Sequence, residues 1–446
     1  MRALALSKYL TRHLEKEAQD FDGSLPTFDQ GLTIPIYDED FSFFDTLQSI
    51  PTHSKTLAVL VVNAKKNSIQ DIIQKNQTLI QEIKRRYSSL QSNLKSEHLS
   101  LHKSNFGAIL LVDLSRPETL LKPKQGVGQA RKVGCDLIFK LIHQQKIKSH
   151  WIYTTDADAV LPSDYFERIP LNVQAGAALF PYTHSLSSDH KTNEAIISYE
   201  IFLRYLHLGL QAADSPYAYS SIGSTLALDA NTYAEALGFP DREAGEDFYL
   251  LNKIIKIRSL LKLTGNPIIL SGRVSHRVPF GTGKAIREIS EGFLENKPYS
   301  IYHPDVFLYL KCFHASLIQY AQTRSVNHFT NYFSQQLQSH SLQDISEDFF
   351  HAFNIQKNYE TTFAKNSNSK QLLRNLQTWF DAFKTLKFLH WIEEKYLAPL
   401  ELNHAIDQAF FLKKKSSCSL KDLQEWLIQE EQIILEKNPF QKLSLS

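Results

Sequence analysis

From about Thr33 to Phe180 the chain alternates short apolar runs with stretches whose apolar residues recur every three or four positions. Leu57-Ala-Val-Leu-Val-Val62 and Ala108-Ile-Leu-Leu-Val112 are continuous apolar runs of the kind found in buried parallel strands. Thr33–Tyr37, Trp151–Thr155 and Ala177–Phe180 read as further strands, the first weakened at one point by Pro35. Ile69, Ile72, Ile73, Ile80, Ile83, Tyr87, Leu90 and Leu94 predict one long helix, and Ala130, Val133, Leu137 and Leu141 another. The polar stretch before residue 30 predicts a short helix and a loop. Alternation of this kind predicts an α/β fold, a mainly parallel sheet flanked by helices, with ligands bound beyond the carboxyl ends of its strands.

The pattern changes near residue 300. Strand-like runs become rare, and Leu420, Leu423, Leu427 and Ile434 share a helical face that Pro439 would end. The expected organisation is a catalytic α/β domain over 1–300 and an all-α C-terminal domain over 301–446, parted near Lys297-Pro298 or His303-Pro304. Phe349, Phe350, Phe353, Trp379, Phe380, Phe383, Phe388 and Trp391 give the second region enough apolar bulk for its own core. The alternative is a surface for a partner protein or a membrane, helped by Lys413-Lys414-Lys415.

Composition narrows the class. A hydrophobic share of 43% excludes wholesale disorder, and only 16 Gly and 16 Pro exclude a fibrous repeat. Lys and Arg exceed Asp and Glu by 49 − 47 = 2, so no nucleic-acid partner is expected. Cys135, Cys312 and Cys418 match no zinc spacing and close no disulfide framework, which favours a reducing, cytoplasmic setting. No apolar run approaches the roughly 20 residues of a spanning helix. The N-terminus lacks a signal-peptide core.

The sharpest chemical feature is Asp156-Ala157-Asp158, directly after a predicted strand. Alternate residues of an extended chain project to one side, so the two carboxylates form a hard oxygen site suited to Mg²⁺ or Mn²⁺. The same residues fit the nucleophile motif of haloacid-dehalogenase-like phosphatases, although that motif opens its domain and here several strand–helix units precede it. A calcium loop over Asp156–Glu167 is excluded, because Val160 and Leu161 stand where a ligand and a Gly are needed. Gly126-Val-Gly128 lacks the third Gly of a dinucleotide fingerprint, and Gly281-Thr-Gly283-Lys284 lacks the Ser or Thr of a phosphate loop. Gly245-Glu246-Asp247 opens an amphipathic helix. Its acids are either helix-dipole partners or a general base. His276 is a candidate ligand, and Arg131, near Lys122, Lys124 and Lys132, a candidate phosphate partner.

In order, Ile34-Pro35-Ile36-Tyr37-Asp38-Glu39, Val61-Val62-Asn63, Gly128-Gln-Ala-Arg131-Lys-Val-Gly134, Asp156-Ala-Asp158 and Gly245-Glu246-Asp247 resemble the motifs of family 2 glycosyltransferases over about residues 30–290. The resemblance implies a GT-A (Rossmann-like) fold and a hexosyltransferase that uses Mn²⁺ or Mg²⁺. The donor would be a nucleotide sugar, UDP- or GDP-linked, and the acceptor a saccharide, a lipid-linked sugar or a small molecule. It implies that Pro35, Tyr37, Glu39 and Asn63 line the nucleotide pocket, that Arg131 and Asp156 meet the donor diphosphate, and that Asp156 and Asp158 hold the metal, with His276 a looser match. Asp247 would be the base of an inverting transfer, with Glu246 beside it. Lys132 replaces the usual Asn of the Arg131 motif. Segment Gly223–Leu228 resembles the strand bordering the acceptor site. A non-catalytic binding subunit of the same fold is the other alternative.

Overall fold

The apolar runs become the middle of a sheet. In the computed structural model β1 (Gln30–Ile36) pairs in parallel with β2 (Thr56–Asn63), every residue of which is buried. β3 (Leu99–Ser104) is antiparallel to β4 (Gly107–Leu114), and β4 is parallel to β2. β5 (Trp151–Thr154) lies parallel on the other side of β1. β6 (Ala177–Leu179) follows, then β7 (Tyr182–His184), β8 (Leu226–Asp229), β9 (Leu260–Lys262) and β10 (Ile268–Leu270). The described residues are 2–21, 25–91, 94, 96–187, 189–274, 281–355, 368–413, 418–437 and 442–445.

Two compact units divide the chain. The first comprises Met1–Asn193, Ser221–Arg287 and Leu435–Lys442; the second comprises Glu194–Ser220, Glu288–Ile434 and Leu443–Ser446. Within the first, the sheet order is β9-β6-β8-β5-β1-β2-β4-β3, while β7 and β10 form a separate parallel pair. Among these eight strands β3 and β8 run against the others, so the sheet is mainly parallel. Its helices include α1 (Arg2–Arg12), α2 (Lys16–Gln19), α3 (Phe43–Ser49), α4 (Gln70–Arg86) and α5 (Val127–His143). After α6 (His190–Ala212), whose larger part belongs to the second unit, come α7 (Ala230–Glu235) and α8 (Glu246–Ile257). This is the α/β architecture with a helical C-terminal region that the hydrophobic pattern predicts.

Two local readings change. Pro35 sits in a central strand, not an edge one. Thr33 accepts from the Thr155 N–H on the β5 side, and Pro35, two residues on, faces the same way after the β5 ladder has ended. Its missing N–H therefore interrupts no bond. The helix expected to reach Leu94 stops at Arg86, with Tyr87 already extended. The next residues pair with β3 instead: the Leu90 N–H donates to the Leu101 carbonyl at 2.9 Å and the Lys103 N–H to Ser88 at 2.9 Å. Helical spacing at Leu90 loses to an edge strand that needs cover.

The second unit is built from helices, with one two-residue antiparallel pair, Ser300–Ile301 with Leu400–Glu401. Its core joins Ile201, Tyr205 and Leu208 of α6 to Phe307, Phe313, Phe349, Phe380, Phe388 and Leu427. Phe313 lies 4.3 Å from Phe380 and 4.9 Å from Phe349 between ring centroids. Of the eight aromatics expected to carry this region, Phe349, Phe353, Phe380 and Phe388 are buried, and Phe350, Trp379 and Trp391 pack partly buried against them. Leu420, Leu423, Leu427 and Ile434 face the same core from the helix Leu420–Lys437. Among the described residues no helix is long and apolar enough to cross a membrane.

Because α6 contributes to this core, a chain ending at Asn296 leaves Ile201, Tyr205 and Leu208 uncovered. Such a truncation is expected to aggregate, read by size-exclusion chromatography. A soluble monomer would contradict it.

A buried ion network fixes the last helix within this unit. Arg204 Nη2 donates to Glu200 Oε1 at 2.7 Å, Arg204 also binds Glu431, and His207 Nδ1 lies 2.7 Å from Glu431 Oε1. Burial works to raise the Glu431 pKa, but Arg204 and His207 outweigh it and bring it from 4.5 to about 2. The stabilisation is therefore complete above the unfolded carboxylate value and is lost as pH falls towards 2. Glu431→Ala is expected to lower stability by roughly 3–5 kcal/mol at neutral pH and to flatten this acid dependence, measured by urea unfolding.

Candidate functional site

The carboxyl edge of the sheet gathers the polar residues. β5 ends at Thr154, and Asp156-Ala157-Asp158 leave the sheet there. Glu39 lies just past β1, and Gly223 opens the short turn that enters β8, whose antiparallel direction puts its start at this edge. The acidic loop is pinned from both sides. Thr46 Oγ1 donates to the Ala157 carbonyl at 2.9 Å, and the Leu161 N–H donates to Ser49 Oγ at 2.9 Å. Val160 and Ile269 exchange two backbone hydrogen bonds, 2.8 and 3.0 Å.

Arg131, one turn into α5, is 3% exposed and joins three elements. Its Nε donates to Glu246 Oε1 at 2.8 Å, its Nη1 to Thr154 Oγ1 at 2.8 Å, and its Nη2 to Asp156 Oδ1. Burial opposes its charge, but Asp156 and Glu246 outweigh that and hold its pKa above the ordinary value. Close approach makes the bridge possible. A Cβ on Gly126 would lie 2.7 Å from the Glu243 carbonyl oxygen, and one on Gly128 2.8 Å from that of Arg242. The Gly126-Val-Gly128 pattern thus lets α5 start against the backbone leading to α8. A Cβ on Gly223 would lie 2.7 Å from Arg131 Nη2.

Gly245, at φ +72°, turns the chain sharply into α8. Glu246 is buried and Asp247 partly exposed. Desolvation, then repulsion from Glu246, pushes the Asp247 pKa up from 3.8 to about 7; Arg131 and the Phe248 N–H, 2.7 Å from Oδ1, work the other way.

A second bridge runs from the same loop. Arg273 Nη2 lies 2.9 Å from Asp158 Oδ2 and donates to Glu39 Oε1 at 2.6 Å. The side chains of Asp156 and Asp158 are 40% and 23% exposed, so both still reach solvent.

The other sequence candidates fall in different surroundings. Pro35 is buried within β1, and Asn63, 2% exposed, donates from Nδ2 to the Ile36 carbonyl at 2.9 Å. Tyr37 is partly exposed, its hydroxyl 3.4 Å from Ser68 Oγ. Lys132 donates to the His13 carbonyl and to buried Asp136, both at 2.7 Å, so its charge serves the packing of the N-terminal segment. His276 lies outside the described residues, as do Lys414 and Lys415. Arg273, Thr154 and the two hydroxyls of α3 were not singled out in the sequence. Only Arg273, three residues past the apolar run Ile268–Leu270 and close to His276, carried a signal that could have found it.

Among the described residues no group of three or more His, Cys, Asp or Glu is arranged to hold a metal ion. Asp156 and Asp158 can hold one as a carboxylate pair, the donor set that suits Mg²⁺ or Mn²⁺ completed by phosphate oxygens. A cavity of about 130 Å³ lies in the second unit, walled by Cys312, His314, Leu317 and Gln377, and contains none of these acids.

No protein-family model matches the chain, and no curated protein matches its sequence. Among solved structures it is similar to a mannosyltransferase from Pyrobaculum calidifontis in complex with GDP-Man and Mn²⁺. That similarity is 12% identity over 98% of this chain and 90% of the other, with a TM-score of 0.31, too distant to transfer fold or activity.

Because Glu246 repels the Asp247 carboxylate, Glu246→Gln is expected to lower the Asp247 midpoint, followed by ¹³C NMR titration. An unchanged midpoint would show that burial sets it, and a raised one that Glu246 does not repel it.

Proposed function

We propose that the chain is a metal-dependent glycosyltransferase of the family 2, GT-A type, which moves a sugar from a nucleotide donor to an acceptor hydroxyl with inversion. The observation that carries this reading is the single Arg131 bridge linking Asp156, at the carboxyl edge of the sheet, to Glu246 beside Asp247. Diphosphate-binding and proton-accepting groups thus share one rigid support. The proposed catalytic domain lies within 1–300, and the helical domain comprises 301–446 together with Glu194–Ser220.

In this reading Asp156 and Asp158 hold Mn²⁺ or Mg²⁺, which would offset the negative charge that grows on the departing diphosphate. Arg131 orients Asp156 and keeps Glu246 compensated. Tyr37, partly exposed beside β1, is the side chain of its motif best able to meet the nucleotide base, while Asn63 and Pro35 shape the strand ends beneath it. Asp247 accepts the proton of the acceptor hydroxyl. A pKa near 7 suits that role, since a base works best when its pKa lies close to the working pH. Turnover should therefore rise with pH through about 7, as Asp247 loses its proton.

Calorimetry with Mn²⁺ and GDP- or UDP-sugars tests the donor site. Asp156→Asn, which keeps an acceptor for buried Arg131, and Asp158→Ala should each weaken Mn²⁺-dependent donor binding at least about tenfold, or 1.4 kcal/mol, without loss of fold. Asp247→Asn should cut turnover by about 10²-fold or more and leave donor affinity unchanged. Unchanged donor affinity in the Asp156/Asp158 double variant would sink the assignment. Turnover of a simple phosphomonoester, abolished by Asp156→Asn, would favour a phosphatase instead.

A further inference from the structure

Arg131 and Arg273 both hold an aspartate of the same loop, but they hold it differently. Arg131 is 3% exposed and gives Nε, Nη1 and Nη2 each to its own acceptor. The Arg273 side chain is 32% exposed, and its closest contacts to Glu39 and Asp158 are both made by Nη2. A guanidinium matches paired anionic oxygens best when it presents two nitrogens side by side. One bridge is therefore a fixed support, and the other is an accessible, divided contact.

We propose that Arg273 is a substrate-binding residue that leaves Asp158 for diphosphate oxygens when a divalent cation takes that carboxylate. This rests on the nucleotide-sugar reading above. The argument is one of charge. A divalent cation on either aspartate comes close to a guanidinium and the two positive centres repel; Arg131 is locked in place by Thr154 and Glu246, whereas the more exposed Arg273 can move away from Asp158. A diphosphate resolves the conflict, because it offers oxygens to both. Glu39, 2.6 Å from Nη2, keeps the guanidinium within reach of the same edge during the exchange. Cation alone should then bind weakly, diphosphate alone weakly, and the two together strongly. Arg273 would be the residue that couples them.

Titration calorimetry on the full chain tests this with Mn²⁺ alone, pyrophosphate alone, and pyrophosphate with Mn²⁺ present. Arg273→Gln should bind Mn²⁺ alone about tenfold more tightly and the Mn²⁺–pyrophosphate pair about tenfold more weakly. Arg273→Lys, which keeps the charge but not the fork, should lie between the two. Opposite signs are the decisive readout, since a merely structural role moves both affinities the same way. Changes of the same sign, or none, would overturn the proposal. A GDP- or UDP-sugar titration separates it from the reading it rests on. If Mn²⁺–nucleotide sugar binds and Arg273→Gln leaves that affinity unchanged, the Arg273 proposal fails and the transferase reading stands. If pyrophosphate binding depends on Arg273 but no nucleotide sugar binds, the reading fails and the diphosphate exchange stands. If the wild-type chain binds neither Mn²⁺ nor pyrophosphate, both fail.

Discussion

A buried guanidinium must find its acceptors inside the protein, and Arg131 finds them on three separate elements. That requirement organises the candidate site. It ties the end of β5, the acidic loop and the first turn of α8 to one point on α5. Taking a guanidinium out of water costs several kcal/mol unless its partners are well placed, so the three acceptors cannot drift independently. The glycines serve the same end, as Gly126, Gly128 and Gly223 let backbone approach where a side chain would block it. Asp247 takes its chemistry from this arrangement: buried surroundings and the neighbouring Glu246 raise its pKa, while Arg131 limits the rise.

The strands were legible where burial on both faces wrote them as unbroken apolar runs, as in β2 and β4. They were not legible where one face is wet. β3 reads Leu-Ser-Leu-His-Lys-Ser, too polar to announce a strand, and its pairing with Ser88 to Leu90 cut short a helix that periodicity alone would continue. The contribution of Glu194–Ser220 to the helical unit had no local signal either. An amphipathic helix states which face it buries, not against what.

For the site, the sequence supplied residue types and order, and contact supplied the rest. Asp156, Asp158, Glu246 and Asp247 stood out as acids at turns. That Arg131 faces two of them could not be read from a spacing of 25 and 115 residues. Arg273 had only its place near His276 to mark it, since its significance lies in Glu39, 234 positions away, and in Asp158 on a different strand end. Lys132 shows the converse. A cation next to Arg131 in sequence points to Asp136 and the N-terminal segment, because adjacent residues on a helix face different neighbours.

The central claim is that Asp156 and Asp158 hold a divalent cation on behalf of a diphosphate. Crystals grown with Mn²⁺ and GDP, measured for the anomalous scattering of manganese, test it most directly. The account predicts one strong peak about 2.1 Å from oxygens of both carboxylates, with diphosphate oxygens completing its shell. A manganese peak elsewhere, or GDP bound with both aspartates still held by Arg131 and Arg273 and no metal between them, would contradict it.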